Sequence, residues 1–202
     1  FRHQLTDHID LTYLGRYHEL KAYIPSSISE TTFRNTPREA AENWKSVNGH
    51  ESYSKILNGL SFNLDLSESI RNETSFFSKH YQGDEIRPFN VLDDRTLTLG
   101  VRSLFEWEGR WNEWQLTSQA GYEYFRENYD WKIYETLEKG QSGEMLNKSN
   151  QMRLQQNLFA ALEAQYGKFG IHTGINFNKT SYWYNDLFHD STDFSDRKNY
   201  QW

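Results

Sequence analysis

Hydrophobic and polar residues alternate with a period of two along much of the chain. The pattern is clearest from Arg95 to Trp107, where the odd positions Leu97, Leu99 and Val101 are apolar and the even positions between them are not. Successive side chains of a β-strand point to opposite faces, so this period predicts a strand with one apolar and one polar face. Seven segments alternate in this way or are rich in β-forming residues: about 3–14, 53–65, 70–82, 95–107, 114–134, 151–165 and 169–184.

The segment 151–165 is the one whose composition would also suit a helix, because it is rich in Leu, Ala, Gln and Glu. Its apolar residues, from Met152 to Ala164, fall mostly on even positions. A helix would instead gather them at spacings of three and four. The period therefore favours a strand.

The connections between the predicted segments fall into two length classes that alternate along the chain. Short ones are predicted at 66–69, 108–113 and 166–168, and long ones at 15–52, 83–94, 135–149 and 185–202. Tight turns at one end and long loops at the other are typical of outer-membrane β-barrels. Within loop 15–52 we predict a short helix over Pro37–Val47, with Asn35 or Thr36 as its cap.

The composition combines low hydrophobicity with many aromatic residues. Only 36% of the 202 residues are hydrophobic, but 16% are aromatic, and the mean hydropathy is −0.90. Disordered chains are poor in aromatics, so disorder is not expected. No apolar stretch approaches the roughly 18 residues of a spanning helix, and the first residues lack the layout of a signal peptide. Strands with one lipid-facing side and aromatic girdles fit this composition.

Charge and motifs exclude several classes of function. The net charge of −6 argues against a nucleic-acid partner, which would need a basic stripe. The chain has no cysteine, and its seven histidines are scattered without the spacing of a metal site. No nucleophile elbow, phosphate loop or Ser-His-Asp arrangement is present. We therefore expect no enzyme activity, no bound metal and no cofactor.

The odd number of predicted strands indicates an incomplete barrel. An antiparallel meander of about seven long strands has two unpaired edges, whereas single-chain bacterial barrels close with an even number. We therefore expect residues 1–202 to form one partial β-barrel domain of a larger wall. The alternative fold is a soluble β-barrel carrier or an open sheet.

Five stretches at strand–loop junctions resemble the TonB-dependent outer-membrane receptors, especially the siderophore and iron-citrate type common in Bacteroidetes. These stretches are Ala22–Ile28, Asn35–Trp44, Glu85–Asn90, Glu127–Trp131 and Gly174–Thr180. The resemblance extends over essentially the whole chain. It implies a 22-stranded transmembrane barrel in the bacterial outer membrane that holds a plug domain and couples to the TonB complex. Neither plug nor TonB box is recognisable in these residues.

The resemblance suggests a wall segment that helps to bind and import a ferric siderophore or a similar scarce nutrient. Outer-membrane lipid and the receptor's own plug domain would be its other partners. The alternatives are a porin-like or adhesin barrel without active transport, and the soluble carrier. An upstream plug domain and TonB box would distinguish a receptor from a porin.

Candidate ligand-binding residues come from two places. In the loops and at the rim, Arg87 offers a fork for an anionic ferric complex, and aromatic faces are offered by Tyr23, Trp44 and Trp131. Other polar residues are predicted to line the interior of the barrel: Arg102, Glu106, Glu123, Arg153, Glu163 and His172. Of these, Arg102 and Arg153 are the candidate ligand contacts. The alternative for the whole set is that the residues have no role in ligand binding and form a solvated wall and ordinary loop packing.

Overall fold

A computed structural model describes residues 1–189 and 196–201 as a single antiparallel sheet in which every strand pairs with the next one along the chain. Its nine strands are β1 Arg2–Thr6, β2 Ile9–Tyr23, β3 His50–Ser67, β4 Ile70–Ile86, β5 Val91–Trp111, β6 Trp114–Thr136, β7 Ser142–Tyr166, β8 Phe169–Asp186 and β9 Asp196–Gln201. The predicted all-β meander of long strands is confirmed. The predicted number of about seven strands is wrong, for two separate reasons.

The first reason is that the segment 3–14 contains a turn. β1 ends at Thr6 and β2 begins at Ile9, and the backbone N–H of His8 donates to the hydroxyl of Thr6 at 3.2 Å. A two-residue turn reverses the chain without leaving a polar gap, so alternation continues across it. Asp7, the one residue that breaks the alternation, marks the turn.

The second reason is that β9 lies within the predicted loop 185–202. Its six residues are all exposed and mostly polar, so no hydrophobic period announces a strand. Backbone pairing to β8 defines β9, from Tyr184 opposite Asp196 to Lys179 opposite Gln201. The part of that predicted loop at 190–195 and 202 lies outside the described residues.

The long connections are shorter than predicted, because the strands continue beyond their apolar segments. They occupy 24–49, 87–90 and 137–141, whereas the predictions were 15–52, 83–94 and 135–149. Polar residues such as Gln82 and Asp84 pair in the ladder by their backbones, which hydropathy does not detect. We call the end of the sheet with these connections the long-loop side. The opposite end, with turns at 7–8, 68–69, 112–113 and 167–168, is the short-turn side.

The connection 24–49 contains two short helices, not the one predicted over Pro37–Val47. Helix α1 spans Glu30–Asn35 and is capped by Ser29, whose hydroxyl accepts a hydrogen bond from the N–H of Thr32. The ring of a proline disfavours helical backbone at the residue before it. Thr36, which precedes Pro37, is therefore not helical, and α1 ends at Asn35. Helix α2 spans Glu42–Ser46.

The strand register divides the side chains between two faces. One, the apolar face, comprises odd positions of β2, β5 and β8 and even positions of β3, β4, β6 and β7. The other, the polar face, comprises the alternate positions. Each row of paired residues continues from strand to strand with the same parity, so both faces extend across the sheet.

Large hydrophobic side chains on the apolar face are exposed. Leu99 is 48% exposed, Leu158 57% and Ile175 76%. Val91 is the one buried hydrophobic residue among those described. A sheet of this kind has no dry core of its own, and its apolar face requires a covering medium.

Aromatic residues line the apolar face at the short-turn side. Trp111, Trp114, Tyr166 and Phe169 form one row of register partners, and the rings of Trp114 and Tyr166 lie 5.2 Å apart. Such a row is typical of an interfacial aromatic girdle. Among the described residues, no helix has the length and hydrophobicity needed to cross a membrane.

Candidate functional site

An ion-pair network crosses the middle of the polar face. Lys79, Thr98, Glu127 and Arg153 are consecutive register partners on β4, β5, β6 and β7. The Glu127 carboxylate lies 3.4 Å from the Lys79 Nζ and 3.5 Å from an Arg153 nitrogen, and it accepts a hydrogen bond from the Thr98 hydroxyl at 3.0 Å. Glu127 therefore joins four strands through one carboxylate.

A second polar row lies nearer to the short-turn side. Arg102 on β5 pairs with Glu123 on β6, with 3.3 Å between nitrogen and oxygen, and Asn157 on β7 donates to the same carboxylate at 3.0 Å. The guanidinium of Arg102 also lies 6.0 Å from the centre of the Phe159 ring. Charged groups in this wall thus have partners, as partly buried charges require.

Aromatic rings lie on the polar face between the network and the long-loop side. The ring of Tyr53 lies 5.6 Å from His18 and 5.4 Å from Tyr81. Farther along the sheet, the hydroxyl of Tyr129 hydrogen-bonds with Asp94, and burial together with that carboxylate raises the pKa of Tyr129 to about 12. Burial also raises the pKa of Asp94 itself.

The connections of the long-loop side pack against one another through Trp44 and Phe89. These two rings meet edge to face at 6.4 Å, and the indole of Trp44 covers Gly49 so closely that a Cβ there would lie 2.4 Å from it. Arg87 forms an ion pair with Glu85, and its guanidinium lies 5.9 Å from the Phe89 ring.

A further bond ties this loop cluster to β6. The carbonyl oxygen of Arg87 accepts a hydrogen bond of 2.6 Å from the Thr136 hydroxyl. The loops around Arg87 are therefore attached to the wall and to one another, and are not free extensions of it.

Glycines on the polar face provide space for aromatic rings. A Cβ at Gly100 would lie 1.9 Å from the Phe77 ring, and one at Gly121 would lie 2.3 Å from the Phe159 ring. Phe77 also packs against Phe125 at 4.9 Å. These rings cover backbone that would otherwise be open to water.

The structure separates the six candidate ligand residues into groups. Arg102, Arg153 and Trp131 share the polar face by register. Arg87 and Trp44 both contact Phe89 in the loop cluster. Tyr23 ends β2 on the apolar face, 67% exposed, with its ring 5.5 Å from His50.

Of the six candidates, Arg153 also lines a cavity of about 550 Å³ on the wall. Tyr129, Tyr184 and Lys198 contribute to the same cavity, as does Glu127. Its two cations, Arg153 and Lys198, are paired with the carboxylates of Glu127 and Asp196. A mixed-charge, aromatic and partly open space of this kind can accept a polar or aromatic small molecule. The role of each residue in ligand binding remains a prediction.

Sequence reasoning did not identify the importance of Glu127, Lys79 and Asp94. Glu127 is a polar-face position of β6, so parity alone assigns it to the same face as Glu123, but only the register shows which cations lie opposite it. Within residues 1–189 and 196–201, no three His, Asp or Glu side chains converge as a metal site would require.

Comparison with known proteins identifies the fold by structure and not by sequence. No family model matches the sequence, and no curated protein matches it either. The ferric citrate transporter FecA in its unliganded form superposes with a TM-score of 0.85 at 11% identity, over 99% of this chain and 31% of that one. The ferric preacinetobactin receptor BauA from Acinetobacter baumannii has a TM-score of 0.65 at 7% identity, over 97% and 35%.

A third solved structure, the ferric-catecholate import receptor Fiu from E. coli K12, has a TM-score of 0.63 at 10% identity, over 96% of this chain and 37% of that one. This chain therefore spans about a third of the length of the receptors that it matches. At such low identity the likeness establishes the fold. The sheet therefore has the fold of the matching third of these three proteins, a segment of an antiparallel β-barrel wall.

Proposed function

We propose that this chain is a wall segment of a TonB-dependent receptor in the bacterial outer membrane, and that the intact receptor binds and imports a ferric siderophore or a similar scarce nutrient. The observation that supports this proposal best is the contrast between the two faces. Leu158 is 57% exposed on one face, whereas the side chain of Glu123 on the other is 20% exposed and its carboxylate is paired with Arg102. Lipid outside and a hydrated interior explain both features.

In this proposal the polar face lines the interior of a closed barrel of 22 strands. The rest of the wall, the plug domain and the segment that engages TonB belong to the intact receptor. Polar side chains of the plug would meet the rows around Glu123 and Glu127, where hydroxyl and amide groups such as Thr98 and Asn157 already satisfy the carboxylates.

The ligand would enter from the long-loop side. Arg87 and Trp44 would contact it in the loop cluster, and Trp131, Arg102 and Arg153 along the interior. Tyr23, the sixth candidate, lies on the outward apolar face and would not line this path. Guanidinium groups bind carboxylate or catecholate oxygens through paired N–H donors, and aromatic rings stack on planar chelating groups. The ferric ion is cargo here and is bound through its chelator, so the wall needs no metal ligands of its own.

Uptake by intact cells tests the proposal. The full-length protein that contains this chain is expressed in a strain without its own ferric receptors, and radioactive iron is supplied as ferric citrate or as a ferric catecholate. We expect the protein in the outer-membrane fraction and uptake of at least one chelate that is abolished when TonB is deleted. Uptake that persists without TonB would favour the porin-like alternative, and recovery of the protein in the soluble fraction would favour the carrier.

Two substitutions test the proposed ligand contacts. Arg87→Gln and Arg153→Gln should each weaken binding of the transported chelate by roughly ten- to a hundredfold, because each removes a charge-assisted hydrogen bond of about 1.5–3 kcal/mol. Arg110→Gln, at the short-turn end of β5, is the matched control and should leave binding unchanged. Unchanged affinity in both ligand-site variants would exclude these residues from the binding site.

A further inference from the structure

On three strands, the apolar face carries a basic residue at the long-loop end of the apolar segment. Going toward the long-loop side, Arg95 follows Leu97 on β5, Arg126 follows Tyr124 on β6, and Lys179 follows Phe177 on β8, each as the next side chain on that face. We call Arg95, Arg126 and Lys179 the basic belt. Three strands thus change from apolar to cationic at the end of their apolar segments.

The belt residues differ from the cations of the polar face in their partners. Lys79, Arg102 and Arg153 each form an ion pair across the polar face. Among the described residues, by contrast, the belt residues form no ion pair with any carboxylate. Their positive charge therefore remains available to a group outside the sheet.

The acidic residues farther along the apolar face form no ion pair with the belt, and their carboxylates contact other groups. Asp130 accepts a hydrogen bond of 2.7 Å from Asn150, and Asp93 lies 3.8 Å from the Lys132 ammonium. Asp130 is the register partner of Arg95, yet it uses its carboxylate on the neighbouring strand instead.

We propose that the basic belt binds phosphate groups of anionic lipid headgroups in the leaflet next to the long-loop side. This inference rests on the proposed function, because it requires the apolar face to lie in a bilayer. The apolar segments end at the belt, so its side chains would lie at headgroup height, and long basic side chains extend readily from apolar surface to that level. Guanidinium groups bind phosphate oxygens through two parallel hydrogen bonds.

The opposite end of the apolar face has a different character. There the row from Trp111 to Phe169 is aromatic, which suits the interface without selecting a charge. The belt would therefore give the wall a preference for an anionic leaflet on one side only.

Lipid selectivity in vesicles tests the belt. The full-length protein that contains this chain is reconstituted into phosphatidylcholine vesicles with a trace of spin-labelled phosphatidylglycerol or spin-labelled phosphatidylcholine, and electron paramagnetic resonance gives the immobilised fraction of each. A basic residue near a membrane surface strengthens attraction to anionic lipid by about 1 kcal/mol, roughly fivefold. The wild-type protein should prefer phosphatidylglycerol several-fold, and the triple variant Arg95→Gln, Arg126→Gln, Lys179→Gln should lose that preference.

Two further variants complete the test. The triple variant Arg16→Gln, Lys55→Gln, Arg110→Gln removes the same charge from the polar face and should keep the preference. The charge-retaining variant Arg95→Lys, Arg126→Lys, Lys179→Arg should keep it as well. Equal selectivity of the wild type and the belt variant, or equal loss in the polar-face variant, would overturn the belt alone. Failure of the wild type to insert into any vesicle would overturn the proposed function and the belt together.

Discussion

The two faces of this sheet differ from those of a soluble protein in which side chains they expose. On the apolar face, Phe105 and Leu158 are at least half exposed. On the polar face, the side chains of Glu123 and Glu127 are 20% and 25% exposed, and their carboxylates form ion pairs with Arg102 and Arg153. These two acidic side chains are therefore less accessible than the hydrophobic side chains of the opposite face.

This inversion indicates which surrounding medium suits each face. Charges that are ion-paired and partly shielded suit a narrow, hydrated interior, whereas unpaired aliphatic side chains in open contact with the surroundings suit acyl chains. Alternation alone does not reveal which face is buried, since a soluble sandwich alternates as well. The identity of the exposed residues decides the matter, and substitutions on matched positions can test it.

The largest effect should come from placing a cation in the middle of the apolar face. Leu158→Arg should lower the free energy of unfolding from a bilayer by about 2–4 kcal/mol, because arginine near the bilayer midplane is poorly solvated. Guanidinium unfolding of the full-length protein in phosphatidylcholine vesicles measures the change.

Gln155→Arg is the control for that experiment, since position 155 faces the polar side on the same strand. Its effect should stay within about 0.5 kcal/mol, as for an ordinary solvated site. If both variants lost the same stability, or if Leu158→Arg were the milder change, the apolar face would not be in lipid.

A smaller loss should follow removal of the carboxylate that joins four strands. Glu127→Gln leaves Lys79 and Arg153 without their shared anion, and we expect about 1–2 kcal/mol of destabilisation because the site is only partly shielded from water. The same unfolding experiment measures it. Glu163→Gln, an exposed acid of the polar face, should change stability by less than about 0.5 kcal/mol, and an equal loss there would argue against a specific network.

The network and the fold differ in how far they can be predicted from sequence. Strand β5 is evident because its apolar residues repeat over most of its length, and even the helix-like composition of β7 does not mask the period of two. β9 escapes prediction because its backbone hydrogen bonds define it, and hydropathy does not report them. Polar strand ends such as 83–86 are hidden for the same reason.

The contacts of the site depend on register, which a single sequence does not specify. Parity places Arg102 and Arg153 on one face, but their partners follow only once β5, β6 and β7 are aligned. The contact of Trp44 with Phe89 joins two separate connections and has no local signal at all. The face on which a side chain lies can thus be predicted from the sequence around it, whereas its contact partners cannot.

A third prediction concerns the rings that cover glycines on the polar face. Gly100→Ala should cost about 1–2 kcal/mol, because the new methyl group would overlap the Phe77 ring and force it away from Phe125. Gly170→Ala is the matched control: nothing lies within 4 Å of a Cβ there, so the change should be neutral or slightly stabilising. Thermal unfolding of both variants compares them, and equal melting temperatures would mean that the ring adapts freely.

The smallest effect we predict is a pH dependence at the long-loop end of the polar face, beyond the apolar segment that ends at Leu97. Burial, with the carboxylates of Asp93, Glu51 and Glu85, raises the pKa of Asp94 against the opposing hydrogen bond from Tyr129. The folded state therefore holds this proton more tightly than the unfolded chain does. The resulting stabilisation is fully present below the ordinary pKa of 3.8 and is lost as the pH rises through the raised value.

Asp94→Asn removes this titration, so the variant should gain stability relative to the wild type as the pH is raised from about 3 to 7. The difference between the two unfolding free energies, measured at several pH values, is the quantity to follow, because a pH-independent loss of the Tyr129 contact cancels from its slope. A difference that shrinks toward neutral pH would mean that Asp94 is stabilised as a carboxylate, and that the polar face is wet enough at this height to solvate a charge without a cation beside it.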